Sequence, residues 1–358
     1  MNPKGISLVI GAVLIISGCA RQNPVGPAPF NVGFFVLDIL KKDGTTLTVA
    51  VWYPTTEVPE AYQYMNPHKT IGKLAYEGEP DRERGPYPLL VYSHGYGGGA
   101  YAGIYVAEHL ASHGFVVAAP DHDDAFAVMR IDGGGDRDMQ EYFRSAVDLG
   151  RSGTDFDRKA HAYRPEDVSL VIDEMLYLNR TESLLQGVLD EHAIGGIGHS
   201  LGGYTMLMVG GIDKEHYDSR ITALLLYSAG VFMFEDEEYY SITVPVMFMY
   251  GEREGSEVRA TLVNEKAVDT ERAYENCQPP KFLLAIKGAN HFSFGQSVFQ
   301  DQWPGLGAKE GQKQADVICT YSLAFFEYYL KGDSEAETIL RNEDEMVALY
   351  RNEMNQAF

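Results

Sequence analysis

Positive charge is scarce in this chain. Its 358 residues carry 29 Lys and Arg against 51 Asp and Glu, a formal net charge of −22. Non-specific nucleic-acid binding draws its affinity from cations that displace counterions, so no nucleic-acid partner is expected. Docking on anionic lipid through a basic patch is excluded for the same reason. Cysteine is nearly absent too: three residues are too few for a disulfide scaffold or a zinc module with paired CxxC knuckles. There is no internal repeat, no low-complexity tract and no apolar run of the roughly 20 residues needed to span a bilayer. What remains is 45% hydrophobic and 22% charged, the composition of a globular protein. The length allows one large domain or two small ones.

The start of the chain reads as an address. Lys4 precedes an apolar run from Ile6 to Ile16, and Ser17-Gly18-Cys19 follows. A basic residue, a short apolar stretch and small residues before a cut site are the parts of a secretory signal. Ile16-Ser17-Gly18-Cys19 resembles a bacterial lipobox, which implies cleavage before Cys19 and a lipid on its sulfur; an ordinary signal with an incidental cysteine is the other reading. Acyl chains anchor without spanning. Ala20 after the cysteine implies sorting to the outer membrane of a bacterial envelope. Residues 1–18 are then the signal peptide and 19–33, rich in Pro, Gly and Asn, a tether. For Cys277 and Cys319, a disulfide outside the cytoplasm and two separate buried thiols both stay open.

From there the pattern is that of an α/β domain, 34–333, with 334–358 expected as a C-terminal helical extension. Phe34 to Leu40 and Leu47 to Tyr53 flank Lys42-Asp43-Gly44, a hairpin signal. Residues 54 to 88 hold six prolines, Pro54, Pro59, Pro67, Pro80, Pro86 and Pro88, and read as loop. Short apolar runs then follow at Leu89–Tyr92, Val116–Ala119, Ile194–Ile197, Ala223–Tyr227, Val246–Tyr250 and Phe282–Ile286. Helical segments are expected at Ala102–His113, from Pro165 with Val168, Val171, Ile172 and Met175 on one face, and at Ala315–Leu330. Apolar strands alternating with helices predict a mostly parallel sheet covered on both faces, made mixed by the antiparallel N-terminal hairpin. Residues 121–163 are too long for an ordinary connection and follow a strand's C-terminal end, where ligands bind in open α/β sheets. They are expected to form a partial lid, with a helical piece near Met139 to Leu149.

The chemistry concentrates at Gly198-His199-Ser200-Leu201-Gly202, a G-x-S-x-G element. It follows an apolar strand and precedes a helical run, the setting of a nucleophile elbow. A serine hydroxyl needs a base to take its proton. His291, in Gly288-Ala289-Asn290-His291-Phe292, lies just past an apolar strand and downstream of Ser200, where such a base would stand. The oxyanion of an acyl-transfer intermediate needs N–H donors. These are expected from the amides of Leu201 and Tyr96, the latter in the glycine loop His94 to Gly99. The acid that orients His291 is expected after the strand Val246 to Tyr250. Glu254 is preferred there, Glu252 is second, and Asp236 after the preceding strand is third.

Tyr87 to Gly95, Leu110 to Ala119, Gly198 to Gly203 and Gly288 to Phe292 together resemble the platelet-activating-factor acetylhydrolase group of α/β-hydrolases. The dienelactone-hydrolase-like and polyester-hydrolase (cutinase-like) families are similar over the same segments. The likeness spans roughly residues 34 to 330. It implies a serine esterase with no metal or other cofactor, acting on a small-molecule or polymeric ester. The acid departs from the pattern. Relatives commonly carry Asp at the third or fourth position after the glycine matching Gly251, where this chain has Glu254 and Gly255. The eukaryotic acetylhydrolases place Asp after the earlier strand, where Tyr227-Ser228-Ala229-Gly230 has none.

Other patterns read blandly. His109 and His113, at i and i+4, are expected on a solvated helix face, since a third metal ligand is missing from the motif. Asp132, Asp136, Asp138 and Glu141 do not match an EF-hand loop. Asn179-Arg180-Thr181 is a glycosylation sequon that a bacterial lipoprotein leaves unused. The sequence therefore points to acyl transfer from Ser200 to water. A non-catalytic binding or assembly lipoprotein on the same scaffold, or an amidase or peptidase using the same triad, are the alternatives.

Overall fold

The computed structural model describes residues 28–64, 71–125, 130–132, 139–254, 270–295 and 308–354. Eleven strands form one continuous order, β11-β10-β9-β8-β7-β5-β6-β2-β1-β4-β3. The heart of the sheet is parallel: β6 (Val116–Pro120), β5 (Tyr87–Ser93), β7 (Leu189–His199), β8 (Ile221–Tyr227), β9 (Val246–Gly251) and β10 (Lys281–Ile286). β5, β6 and β10 are buried along their whole length, which explains why they read as unbroken apolar runs rather than alternating ones. The hairpin β1 (Asn31–Leu40) and β2 (Thr46–Thr55) joins this core antiparallel through β2 and β6.

Helices cover both faces. On one side α1 (Ile104–Ser112) and α6 (Ala308–Lys331) pack with Leu90, Ile197, Leu225 and Leu284. On the other lie α3 (Tyr163–Arg180) and α4 (Leu201–Leu207). The expected apolar stripe of α3 is real: Val168, Val171, Ile172 and Met175 are all at most 1% exposed. A further helix, α2 (Met139–Ser152), lies in the 121–163 insertion, and two short ones, α5 (Thr270–Asn276) and α7 (Ala336–Arg341), complete the set described.

Three boundaries differ from the sequence reading. β1 begins at Asn31, and Phe30 packs edge-on against Tyr87, so residues 30–33 belong to the domain rather than to a tether. The stretch 54–88 is not all loop: β3 (Glu60–Gln63) and β4 (Ile71–Tyr76) extend the sheet past β1. Its prolines hid a strand in which Gly72, Leu74 and Ala75 are buried. The C-terminal extension is helical only at α7; β11 (Val347–Glu353) then pairs antiparallel with β10 and closes the other edge. Its second half, Arg351-Asn352-Glu353, is polar, so the strand lacks the apolar run that marks a central strand.

The predicted solvated face of α1 is also corrected. His113 is 6% exposed, its ring lies 4.4 Å from that of His109, and both Nε2 atoms are buried. Lys331 of α6 donates to the His113 carbonyl at 2.6 Å and seals this end of the helix. Asn179 is a structural bracket, with its amide bonded to the N–H and C=O of Leu189 at the start of β7. Cys277 and Cys319 are separate, buried thiols. The signal and lipobox residues, with Cys19, lie outside the described residues, as do Asp136, Asp138 and Gly255.

Candidate active site

The parallel strands end along one edge, and the predicted site residues gather there. Ser200 follows β7 directly and opens α4. Its backbone stands at φ 55° and ψ −118°, a conformation that L-residues rarely adopt and that persists only where the surroundings enforce it. Those surroundings are visible: the Ser200 N–H donates to the Tyr227 carbonyl at 2.9 Å, and its carbonyl accepts from Gly230 at 2.8 Å. The turn also needs glycine at 202, where a Cβ would lie 1.9 Å from the Ser93 carbonyl oxygen. So the G-x-S-x-G sequence produces the tight elbow through close backbone approach, not through flexibility.

His291 sits past β10 at the start of a short 3-10 turn, His291–Phe294. Asn290 caps that turn, accepting from the Phe292 N–H at 2.9 Å, while the Asn290 N–H donates to Ser293. The residue beside the nucleophile helps to hold it: His199 Nε2 donates to the His291 carbonyl at 2.9 Å. Burial, with the neighbouring His291, pushes His199 down to about 3, so it serves as a neutral donor.

The three candidate acids separate clearly. Glu254 is 4% exposed, and its Oε2 lies 3.7 Å from His291 Nδ1. Its other oxygen, Oε1, accepts from the Gly251 N–H at 2.7 Å and from the Ser228 hydroxyl. One carboxylate oxygen is thus fixed by the scaffold while the other faces the imidazole. Glu252 instead accepts from the Gly288 N–H at 2.9 Å and is exposed. Asp236 pairs with Arg272 and is half exposed. Ser228 stands at the end of β8, where the resemblance leads one to expect a carboxylate; here the hydroxyl binds a carboxylate that arrives from β9. That partner was missed in the sequence because a serine beside a strand carries no signal of its own.

The glycine loop lies against the elbow. A Cβ on Gly95 would come within 3.1 Å of the Ser200 Cβ, so Gly95 lets the loop close on the serine. Tyr96 follows it, and Leu201 opens α4 beside Ser200. Beneath this loop is a buried polar cluster that sequence reasoning also missed. Ser93 Oγ bonds His122 Nε2 at 2.9 Å, His122 Nδ1 bonds Asp167 at 2.9 Å, and Lys41 pairs with Asp167 at 3.0 Å. Arg164 forks onto Asp124 at 2.8 and 2.9 Å. Burial alone would raise Asp124, but the Arg164 guanidinium holds its carboxyl below the usual range. Polar residues at the start of α3, on its otherwise apolar face, were the available signal. Asp132 pairs with Arg130 at 3.2 Å, and among the described residues no group of three or more His, Cys, Asp or Glu could hold a metal ion.

Comparison with known proteins now adds to this geometry. Residues 34–136 match the family described as platelet-activating factor acetylhydrolase, isoform II. The chain is 25% identical to the platelet-activating factor acetylhydrolase of Cavia porcellus over 95% of its own length and 86% of that protein. It is 23% identical to that of Gallus gallus, over 88% of this chain and 86% of the other. Among solved structures it is similar to a ferulic acid esterase from Streptomyces cinnamoneus, with a TM-score of 0.63 and 23% identity over 87% of this chain and 92% of that one. The protein has the α/β-hydrolase fold. Its sequence relatives are platelet-activating factor acetylhydrolases.

Proposed function

We propose that the protein hydrolyses carboxyl esters through Ser200, His291 and Glu254 by way of a covalent acyl-enzyme. The observation that carries this reading is the strained Ser200 backbone at the strand edge, together with a histidine that faces a buried carboxylate and whose carbonyl is held at 2.9 Å by His199, the residue before the serine. Ser200 Oγ attacks the ester carbonyl carbon as His291 Nε2 takes its proton. The resulting oxyanion is held by the N–H groups of Leu201 and Tyr96. Collapse breaks the acyl C–O bond, and His291 returns the proton to the leaving oxygen. Water, activated by the same imidazole, then releases the acid and restores Ser200. Glu254 keeps the His291 proton on Nδ1 and stabilises the imidazolium. Its 3.7 Å separation shortens when substrate is bound, as such bonds commonly do.

The substrate class is short-chain, phospholipid-type or polyester acyl esters. The names of the sequence relatives favour a phospholipid bearing an acetyl group. A series of 4-nitrophenyl esters from acetate to palmitate, with an acetylated phospholipid and a polyester film, tests this. The acetylated phospholipid and the shortest esters are expected to give the highest kcat/KM. Preference for an amide, or no turnover and no labelling of Ser200 by a fluorophosphonate, would replace the reading with the amidase or the binding-scaffold alternative. The N-terminal pattern supports a lipid anchor at Cys19 in a bacterial envelope. Cys19→Ser is then expected to yield an active enzyme released from membranes, and an unmodified Cys19 by mass spectrometry would remove the anchor.

A further inference from the structure

We propose that Arg164 is a positioning residue whose guanidinium, together with the His94 ring, fixes the peptide that aims the Tyr96 N–H at the oxyanion. The inference rests on the reading of Tyr96 as an oxyanion donor. The Gly95 carbonyl oxygen is the focus of three donors. Gly98 N–H reaches it at 3.0 Å, His94 Nδ1 at 2.7 Å and Arg164 Nη2 at 3.4 Å. Arg164 Nη1 also donates to the preceding carbonyl, that of His94, at 2.8 Å. In a trans peptide the C=O and the next N–H point in opposite directions. Drawing the Gly95 carbonyl down into the buried cluster therefore turns the Tyr96 N–H away from it.

The histidine's part is fixed by its own surroundings. The His122 N–H donates to His94 Nε2 at 3.1 Å, so that nitrogen is an acceptor and the ring proton sits on Nδ1, facing Gly95. Burial, then the adjacent Arg164 and His122, holds His94 well below its ordinary value and keeps the ring neutral. Arg164 is fully buried at 0% exposure, and Asp124 grips it through both carboxylate oxygens with a further contact from Nε at 3.1 Å. The pair is therefore internally neutralised, and what the loop receives is direction rather than charge. A guanidinium presents five N–H donors in fixed directions and here meets both Asp124 oxygens and two carbonyls, whereas an ammonium has only three donors on one atom.

The test is Arg164→Lys in the full chain, with kcat expressed per site titrated by a fluorophosphonate at completion. Misplacing one oxyanion donor costs about 10²–10³-fold in kcat. The expected result is a fall of at least about tenfold per labelled site, with KM changed less than about threefold. The affinity of a trifluoromethyl ketone, which forms a tetrahedral adduct, should fall in step with kcat/KM. A merely structural role would lower the labelled fraction and leave kcat per labelled site at the wild-type value, and that result overturns the proposal. Because a buried arginine is replaced, Asp124→Asn is run beside it and is expected to fall in the same direction by a smaller factor. Unchanged kcat per site in whichever variant folds is the overturning outcome. Wild-type protein without turnover or labelling would instead remove the reading of the site, and this inference with it.

Discussion

Two sets of serine, histidine and carboxylate stand at this edge of the sheet, and they differ in packing, backbone and access. Ser93, His122 and Asp167 are joined by two hydrogen bonds of 2.9 Å and are at most 1% exposed. Ser200, His291 and Glu254 are looser, with 3.7 Å between acid and base and an imidazole side chain 29% exposed. By hydrogen-bond length alone the first is the better triad. It is sealed, however, and Ser93 ends the regular strand β5, whereas Ser200 is held at φ 55° where its strand turns into a helix. Residue types and short distances do not make a nucleophile. Strained backbone and access do, and a catalytic hydrogen bond has reason to stay long until substrate arrives.

The comparison breaks most sharply at the two serines. Ser200→Ala is expected to lower kcat by at least about 10⁴-fold with the fold intact. Ser93→Ala should leave kcat within a few-fold and cost about 1–2 kcal/mol of stability, since it removes one buried hydrogen bond. Fluorophosphonate labelling followed by peptide mapping checks both. Modification at Ser93 would reverse the assignment.

Next come the acids. Glu254→Gln should lose about 10²–10⁴-fold in kcat with ester binding kept, because the amide no longer stabilises the imidazolium. Glu252→Gln and Asp236→Asn should each stay within a few-fold, as their carboxylates are committed to Gly288 and Arg272. Steady-state kinetics on one soluble ester separates the three. A large loss at Glu252 alone would move the acid there. Ser228→Ala should have a smaller effect, a few-fold in kcat. It removes one of the donors that fix Glu254 Oε1 but leaves the Gly251 N–H in place.

Much of this was legible in the sequence, for physical reasons. Buried parallel strands read as apolar runs, and an elbow needs Gly202 at a place where a side chain would collide with Ser93. Ser200 and His291 could thus be placed relative to the sheet before any coordinates. The acid was less legible because several carboxylates share two neighbouring loops. What chose Glu254 is a hydroxyl from another strand, Ser228, and a backbone N–H at Gly251, neither of which has a sequence signature. β4 was hidden among prolines. The cluster around Arg164 was hidden because its members come from β2's neighbouring turn, the end of β5, the loop after β6 and the first turn of α3.

The smallest expected effect sharpens the contrast through pH. In the sealed constellation burial, then the positive charge of Arg164, holds His122 well below 6.5, so the native state leaves it neutral while the unfolded chain protonates it. That stability is present above about pH 6.5 and is lost as pH falls below it, by about 1.4 kcal/mol per unit. Asp167 works against the loss. Burial, only partly offset by Lys41, pushes its carboxyl up to about 6, so the native state takes up that proton before the unfolded chain does. A carboxyl raised in the fold contributes stability that is fully present below its unfolded value near 4 and fades as pH rises through about 6. Asp167→Asn removes this compensating proton and leaves the histidine's penalty. The variant should therefore lose about 1 kcal/mol more than wild type between pH 7 and pH 5, read as urea midpoints at the two pH values with unchanged m. Equal losses would mean that Asp167 is ionised throughout that range. The sealed constellation would then hold a carboxylate that stays paired with Lys41 beside a neutral His122.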